Sequence, residues 1–257
     1  MFIFADMRKF VLTLVLTVLP LICSADGAKL YTKRARVEDF TSKTTKVVLA
    51  GDALMQTAIR EEVSTRWYIS PFEFCTPDDY EKHKNSTTFY FLRPVVAGGI
   101  IHLCITKGGK TNDENILKRG FDVISIPMAT AGQPTSRELL YIGAYVDILQ
   151  KYMEEAMSSD TKAYGGLPQF NAAAMSKRKT LLECNEADRN FAESTPGYSS
   201  GLVIASKENT ENAVCYKIVV TCDTHELCYF KSHKLGPKAG REFLKQDIAK
   251  INAVSAR

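Results

Sequence analysis

From Lys46 onwards, hydrophobic positions along the chain alternate between a period of two and a period of about four. Val47-Val48-Leu49-Ala50 is a short β-branched run closed by Gly51, and Asp52 follows as the N-cap of a helix running to about Arg66. Met55, Ile59, Val63 and Trp67 recur every four residues with Leu54 and Ala58 beside them, so one helix face is buried while Arg60, Glu61 and Ser64 face water. Residues 68–74 alternate and return as a strand, in which Pro71, lacking a donor, marks an edge or a bulge. Thr76 caps a short surface helix with Pro77 in its first position. Residues 87–93, 100–106 and 121–128 are three further strands in direct succession, which favours antiparallel pairing.

The strongest helix covers residues 136–157. Thr135 and Glu138 form a capping box, and Leu139, Ile142, Val146, Leu149, Met153 and Ala156 make a continuous stripe. Leu140, Gly143, Tyr145 and Tyr152 widen that stripe, so the helix is expected to pack on two sides. Residues 158–200 are polar and broken by Gly165-Gly166, Pro168 and Pro196-Gly197, with a short helix over 169–177 and a strand over 180–184. This stretch reads as a poorly ordered excursion or an inserted subdomain. Regular structure resumes with strands at 202–206, 214–221 and 227–231, the last two a hairpin. A closing helix over 240–253 turns Phe243, Leu244, Ile248 and Ile251 inward.

No internal repeat is visible. The order of elements predicts an α/β (α+β) fold with a mixed central β-sheet flanked by helices, one main domain over residues 46–257 after an extended lead-in at 26–45. Its expected core includes Val48, Ile59, Trp67, Ile69, Phe91, Leu103, Ile124, Leu149, Val220, Phe230 and Ile248.

The first twenty-five residues fit none of these periods. Arg8 and Lys9 precede an apolar run over residues 10–22, and Cys23-Ser24-Ala25 supplies small residues for cleavage, the three-part layout of a secretory signal peptide at 1–25. At about thirteen residues the run is shorter than the roughly 20 that a spanning helix needs. The mature chain is therefore expected to start near Asp26, to be periplasmic or secreted, and to have no transmembrane segment. Acylation at Cys23 is disfavoured by the bulky Ile22 before it.

Removing residues 1–25 leaves 31 basic and 28 acidic side chains, a net charge of +3, too mild to imply nucleic acid. Six cysteines remain: Cys75, Cys104, Cys184, Cys215, Cys222 and Cys228. Cys75, Cys104 and Cys215 lie inside apolar strand runs and read as buried thiols. At most one bridge is expected, with Cys222 and Cys228 the leading pair. A five-residue loop sets them opposite each other, whereas a four-residue loop sends them to opposite faces.

Candidate chemistry is thin. Lys107-Gly108-Gly109-Lys110-Thr111 resembles the end of a phosphate loop, but Cys104 stands where the first glycine is required, so a hairpin loop is expected. Cys222, His225 and Cys228 have zinc-ligand types yet supply three donors across a turn, and a closed site needs a fourth. His102 and Cys104 share a strand face at about 6.6 Å between α-carbons, too long for a nucleophile and its base. No catalytic residue, cofactor or metal is therefore assigned.

The segment VVLAGDALMQTAIREEVSTRWYISPFEF (residues 47–74) and the ending YKIVVTCDTHELCYFKSHKLGPKAGREFLKQDIAKI (residues 216–251) are similar to a group of exported proteins of Bacteroidota-type bacteria. The β-α-β opening resembles, at the level of fold, the N-terminal domain of TolB-like and CsgG-like envelope proteins. The resemblance implies an envelope location and an α/β sheet but no reaction. One departure is His225, which stands where a turn glycine is common. The leading functional expectation is a non-enzymatic envelope protein that binds or assembles with a protein partner. The alternatives are a small-ligand-binding periplasmic protein and an enzyme with an unrecognised site.

Overall fold

The computed structural model describes residues 32–109, 122–167, 171–207, 210 and 212–256. The expected signal peptide and most of the hairpin loop after Gly109 lie outside them. Strands β1 (Thr44–Val48), β2 (Phe72–Cys75), β3 (Phe89–Ala97), β4 (Ile100–Lys107) and β5 (Asp122–Thr130) form one sheet in the order β2-β1-β3-β4-β5. Strand β1 runs parallel to β2 and β3, and β3, β4 and β5 are successively antiparallel. A second sheet has the order β6 (Lys179–Leu182), β7 (Tyr198–Ala205), β8 (Val214–Thr221) and β9 (Leu227–Lys234). Here β6 and β7 are parallel, and β7, β8 and β9 antiparallel. The α/β class is thus as expected in a single domain, with two mixed sheets in place of one central sheet.

The helices are α1 (Arg34–Val37), α2 (Ala53–Arg66), α3 (Pro77–His83), α4 (Ser136–Leu140), α5 (Ile142–Ser158), α6 (Asp160–Gly165), α7 (Asn185–Ala192) and α8 (Lys245–Ser255). Asp52 caps α2 and Thr76 caps α3, with Pro77 first in the helix. The Thr135–Glu138 capping box opens α4. The long helix read over 136–157 is broken once, at Tyr141, whose φ of −88° and ψ of 0° separate α4 from α5. Residues 26–45 are not an extended lead-in where described. Helix α1 and a 3-10 helix, Phe40–Ser42, bury Val37 and Phe40 completely. The phenyl ring of Phe40 meets Tyr90 edge-on at 4.7 Å.

Helix α5 is the centre of the molecule. Its buried positions go round most of the helix, from Ile142 and Gly143 through Tyr145, Ile148 and Gln150 to Ala156, the signature of an enclosed helix rather than a surface one. Gly143 permits the close approach of α2: a Cβ there would lie 2.3 Å from Glu62 Oε2 and 2.7 Å from Arg66 Nε. Gln150 completes the end of α2. Its Nε2 donates to the Arg66 carbonyl at 3.0 Å, one of the orphan acceptors of a helix terminus, and its Oε1 accepts from the Tyr68 amide at 2.8 Å.

One large core joins both sheets through α5, running from Val47, Ile59 and Leu103 to Leu202, Ile218 and Val220. A smaller core on the far face of the second sheet packs Val219, Tyr229 and Cys228 against Phe243 and Ile251. Of the expected core residues, Ile248 is a correction. At 38% exposure it faces solvent, because Asp247 and Ile251 take the buried face of α8. Leu54, beside the buried stripe of α2, is exposed as well. Phe230 is only partly buried.

The stretch 158–200 is also corrected. It is neither an excursion nor an inserted subdomain, since β6, α7 and the start of β7 within it open the second sheet. With that assignment the chain shows the same winding twice. A strand, a crossover helix and a parallel strand lead into an antiparallel meander and then a helix, first as β1-α2-β3-β4-β5-α5 and then as β6-α7-β7-β8-β9-α8. The first half differs by β2 and α3, inserted into its crossover, and by the short α4.

Tyr145 is fully buried and its hydroxyl has no hydrogen-bond partner among the described residues, while burial holds its ionisation well above the ordinary range. An unpaired buried hydroxyl costs about 1–3 kcal/mol. Tyr145→Phe removes it without changing ring packing, and is expected to raise the thermal midpoint in calorimetry.

Candidate functional site

A cavity of about 590 Å³ lies where the β5–α4 connection, the β6–α7 turn, α7 and β7 meet. Its wall is charged. Three carboxylates face it, and each is tied to protein donors in a different way. Glu138 accepts from the amide and hydroxyl of Thr130 and from those of Thr135, so its four bonds close the capping box and fasten α4 to β5. Asp188 Oδ2 accepts from Arg137 Nε at 2.8 Å, joining α4 to α7. Glu183 accepts from the Val203 amide and lies 3.5 Å from Arg137 Nη1. Burial pushes the Glu183 carboxyl up, against the pull of the Val203 amide and Arg137.

Glu183 has φ +49°, a left-handed conformation uncommon for a residue with a side chain. The turn it makes lets the Glu183 amide bond the Gly201 carbonyl at 2.9 Å while its carboxyl reaches back to Val203. Strain of this kind concentrates at functional positions.

Two cations of the cavity wall are left over. Among the described residues the Lys207 ammonium makes no ion pair, and Arg241 has one bond, from Nη2 to the Ala205 carbonyl at 3.4 Å. Asp188 Oδ1, in turn, is buried and accepts no hydrogen bond. The wall thus sets three cations against three carboxylates, with two of the cations unpaired and one acceptor spare among the described residues, which suits a molecule carrying an anionic group together with hydroxyl or amino donors. None of Glu183, Asp188, Lys207 and Arg241 was singled out by sequence. They come from four segments with no fixed spacing, and α7 itself, Asn185–Ala192, was not foreseen. A φ-positive Glu leaves no mark in a sequence.

The residues singled out by sequence are placed elsewhere. Cys222 and Cys228 are free thiols, as are Cys75, Cys104, Cys184 and Cys215. Cys222 packs in the large core and Cys228 in the small one, on opposite faces of the sheet. A bulge between Val219 and Val220 shifts the register, pairing Val220 with Leu227 and separating the two sulfurs. Burial pushes the thiols of Cys222 and Cys228 up to about 11 and about 12, which makes them poor nucleophiles. Thiol titration of unreduced, denatured protein is expected to find all six free, with Cys184, the one not fully buried, modified first under native conditions.

His102 and Cys104 form no pair either. Cys104 Sγ contacts the His102 carbonyl at 3.8 Å, while the His102 ring meets Tyr216 edge-on at 5.8 Å, and burial lowers its imidazole to about 4. Among the described residues no group of three His, Cys, Asp or Glu side chains is arranged to hold a metal. His225 turns away from the two cysteines and bonds Asp147 of α5, with 2.6 Å between Nδ1 and Oδ2.

No family model, curated protein or solved structure matches the chain. No helix among the described residues is long and apolar enough to cross a membrane. The large exposed apolar side chains, Leu54, Tyr68, Val96, Tyr164 and Ile248, sit on separate elements rather than on one face.

Proposed function

We propose that this chain is an exported binding protein that holds a small polar ligand bearing a carboxylate or phosphate in the charged cavity. The observation that carries the reading is the mismatch on the cavity wall. Among the described residues Lys207 and Arg241 have no carboxylate partner, and the buried Asp188 Oδ1 accepts no hydrogen bond. A ligand with an anionic end and a hydroxyl or amino group answers both. The volume falls within the range of about 300–1,000 Å³ typical of small-molecule sites. The secretory layout of residues 1–25 and the likeness to exported bacterial proteins support a place outside the cytoplasm.

Thermal unfolding with amino acids, sugar acids and sugar phosphates tests the reading. One of these classes is expected to raise the midpoint, by the equivalent of about 2.7 kcal/mol at a hundredfold excess over Kd. The double variant Lys207→Ala/Arg241→Ala is expected to abolish the shift. A panel without any shift at millimolar concentration, or a shift that survives in the double variant, overturns the proposal. Recovery of a stoichiometric protein from envelope extracts, in the absence of a ligand shift, favours the partner-binding alternative.

A further inference from the structure

His225 is held in a costly conformation for a definite geometric result. Its φ of +52° lies in the left-handed region that glycine adopts most readily. The turn is fixed by the His225 amide on the Thr221 carbonyl at 3.2 Å and the Glu226 amide on Thr221 Oγ1 at 2.9 Å. This returns the imidazole over α5. There Nδ1 meets Asp147 Oδ2, and the ring stacks on Phe191 with 5.3 Å between centroids and 25° between planes. The same Asp147 oxygen accepts from Arg66 Nη1 at 3.0 Å, and Arg66 Nε is tied to Glu62 at 2.6 Å. The carboxylate is thus braced from a second helix.

A carboxylate only accepts, so Nδ1 carries a proton, and in the neutral tautomer this fixes, the lone pair lies on Nε2. Nε2 makes no hydrogen bond among the described residues, and His225 lines a second cavity of about 320 Å³. Lys151 and Lys162 lie on its wall, paired with Glu226 and Glu155, together with Asn171, whose side-chain amide makes no hydrogen bond among the described residues. An imidazole oriented by a carboxylate on the wall of a cavity is the arrangement of a general base.

We propose that His225, positioned by Asp147, activates water for the hydrolysis of a small acyl ester in this cavity. The site is distinct from the charged cavity and does not depend on its ligand. His225 Nε2 takes a proton from water as the water oxygen bonds to the acyl carbon. The acyl C–O bond then breaks, the imidazolium returns the proton to the departing alkoxide, and a carboxylic acid and an alcohol leave. The Asn171 side-chain amide is the donor available to the carbonyl oxygen as it gains negative charge. The small volume favours short acyl chains.

Purified full-length protein should be assayed with 4-nitrophenyl esters from acetyl to hexanoyl. Saturable turnover is expected, falling about 100-fold or more in His225→Gln, whereas His83→Gln, on the surface helix α3, retains the wild-type rate. Asp147→Asn is expected to lower kcat more than KM and to change the pH–rate profile, a readout that simple loosening of the fold would not move. Because Asp147→Asn disturbs the Arg66 brace, near-UV circular dichroism of His225→Gln establishes that the decisive variant is folded. Turnover that survives in folded His225→Gln, or no turnover above buffer with any ester, overturns the proposal.

Discussion

Asp247→Ala is expected to lower the unfolding free energy by about 3–5 kcal/mol, a large part of the roughly 5–15 kcal/mol that holds a domain of ordinary stability. Asp247 and Lys217 are both fully buried, and their ion pair closes at 2.9 Å beneath α8. Asp247 Oδ1 also accepts from the Tyr229 hydroxyl at 2.6 Å, and Oδ2 from the Leu244 amide at 2.9 Å, which starts the helix. Lys217 Nζ in turn donates to His233 Nδ1 at 2.7 Å, so the His233 proton is on Nε2, which donates to the Gly240 carbonyl. Removing the carboxylate strands a buried ammonium, and that stranded charge, more than the lost attraction, sets the cost. The pair Lys217→Met/Asp247→Leu is expected to recover most of the loss. Urea unfolding of the three proteins decides it: a double variant no better than the single would show that the network itself, rather than charge balance, holds α8.

The same carboxylate gives stability a pH dependence of known sign. Burial acts to raise it, but hydrogen bonds from Tyr229, Lys217 and the Leu244 amide outweigh burial, and Asp247 titrates below the ordinary carboxylate range. Its contribution is therefore fully present above that range and is lost as pH falls through the folded value. The gap between wild type and Asp247→Ala should narrow in acid and stay constant near neutrality.

Phe191→Ala is expected to cost about 3–5 kcal/mol and to weaken both cavities at once. The ring is buried between Tyr141, stacked at 4.1 Å and 13°, and His225 at 5.3 Å. Its helix α7 also carries Asp188 into the charged cavity. Truncation empties the space between α4, α7 and the β8–β9 turn, so the collapse moves Asp188 and His225 together. Urea unfolding gives the stability loss, and ligand-induced thermal shift gives the loss of binding. If binding persists unchanged in a destabilised but folded variant, α7 is not the support of the charged cavity.

Local signals in the sequence were legible wherever a side chain itself closes a helix end. Asp52, Thr76 and the Thr135–Glu138 box cap helices where they were read. Strand β8 falls where its apolar run places it. What stayed hidden depends on partners distant in the chain. Strand β6 is four residues long and only half-buried, and α7 has eight residues of which two are acidic, so each is too short to read by its period; both are held by β7 and by Tyr141 across the core. The division into two sheets was hidden for the same reason, because a strand pattern does not tell which sheet it joins. Both cavities were invisible because their residues converge from separate segments, and His225 was noticed only as a metal donor and a departure from glycine.

The doubled winding has a consequence for how the molecule can change. A dimer of one such unit would repeat every feature twice, so that an alteration beneficial on one side is imposed on the other. Two copies in one chain share the burial around α5 yet answer to separate stretches of sequence. One copy can lengthen its crossover by a strand and a helix without the change being mirrored in the other. Asymmetry of this kind is what gives one molecule two chemically unlike cavities.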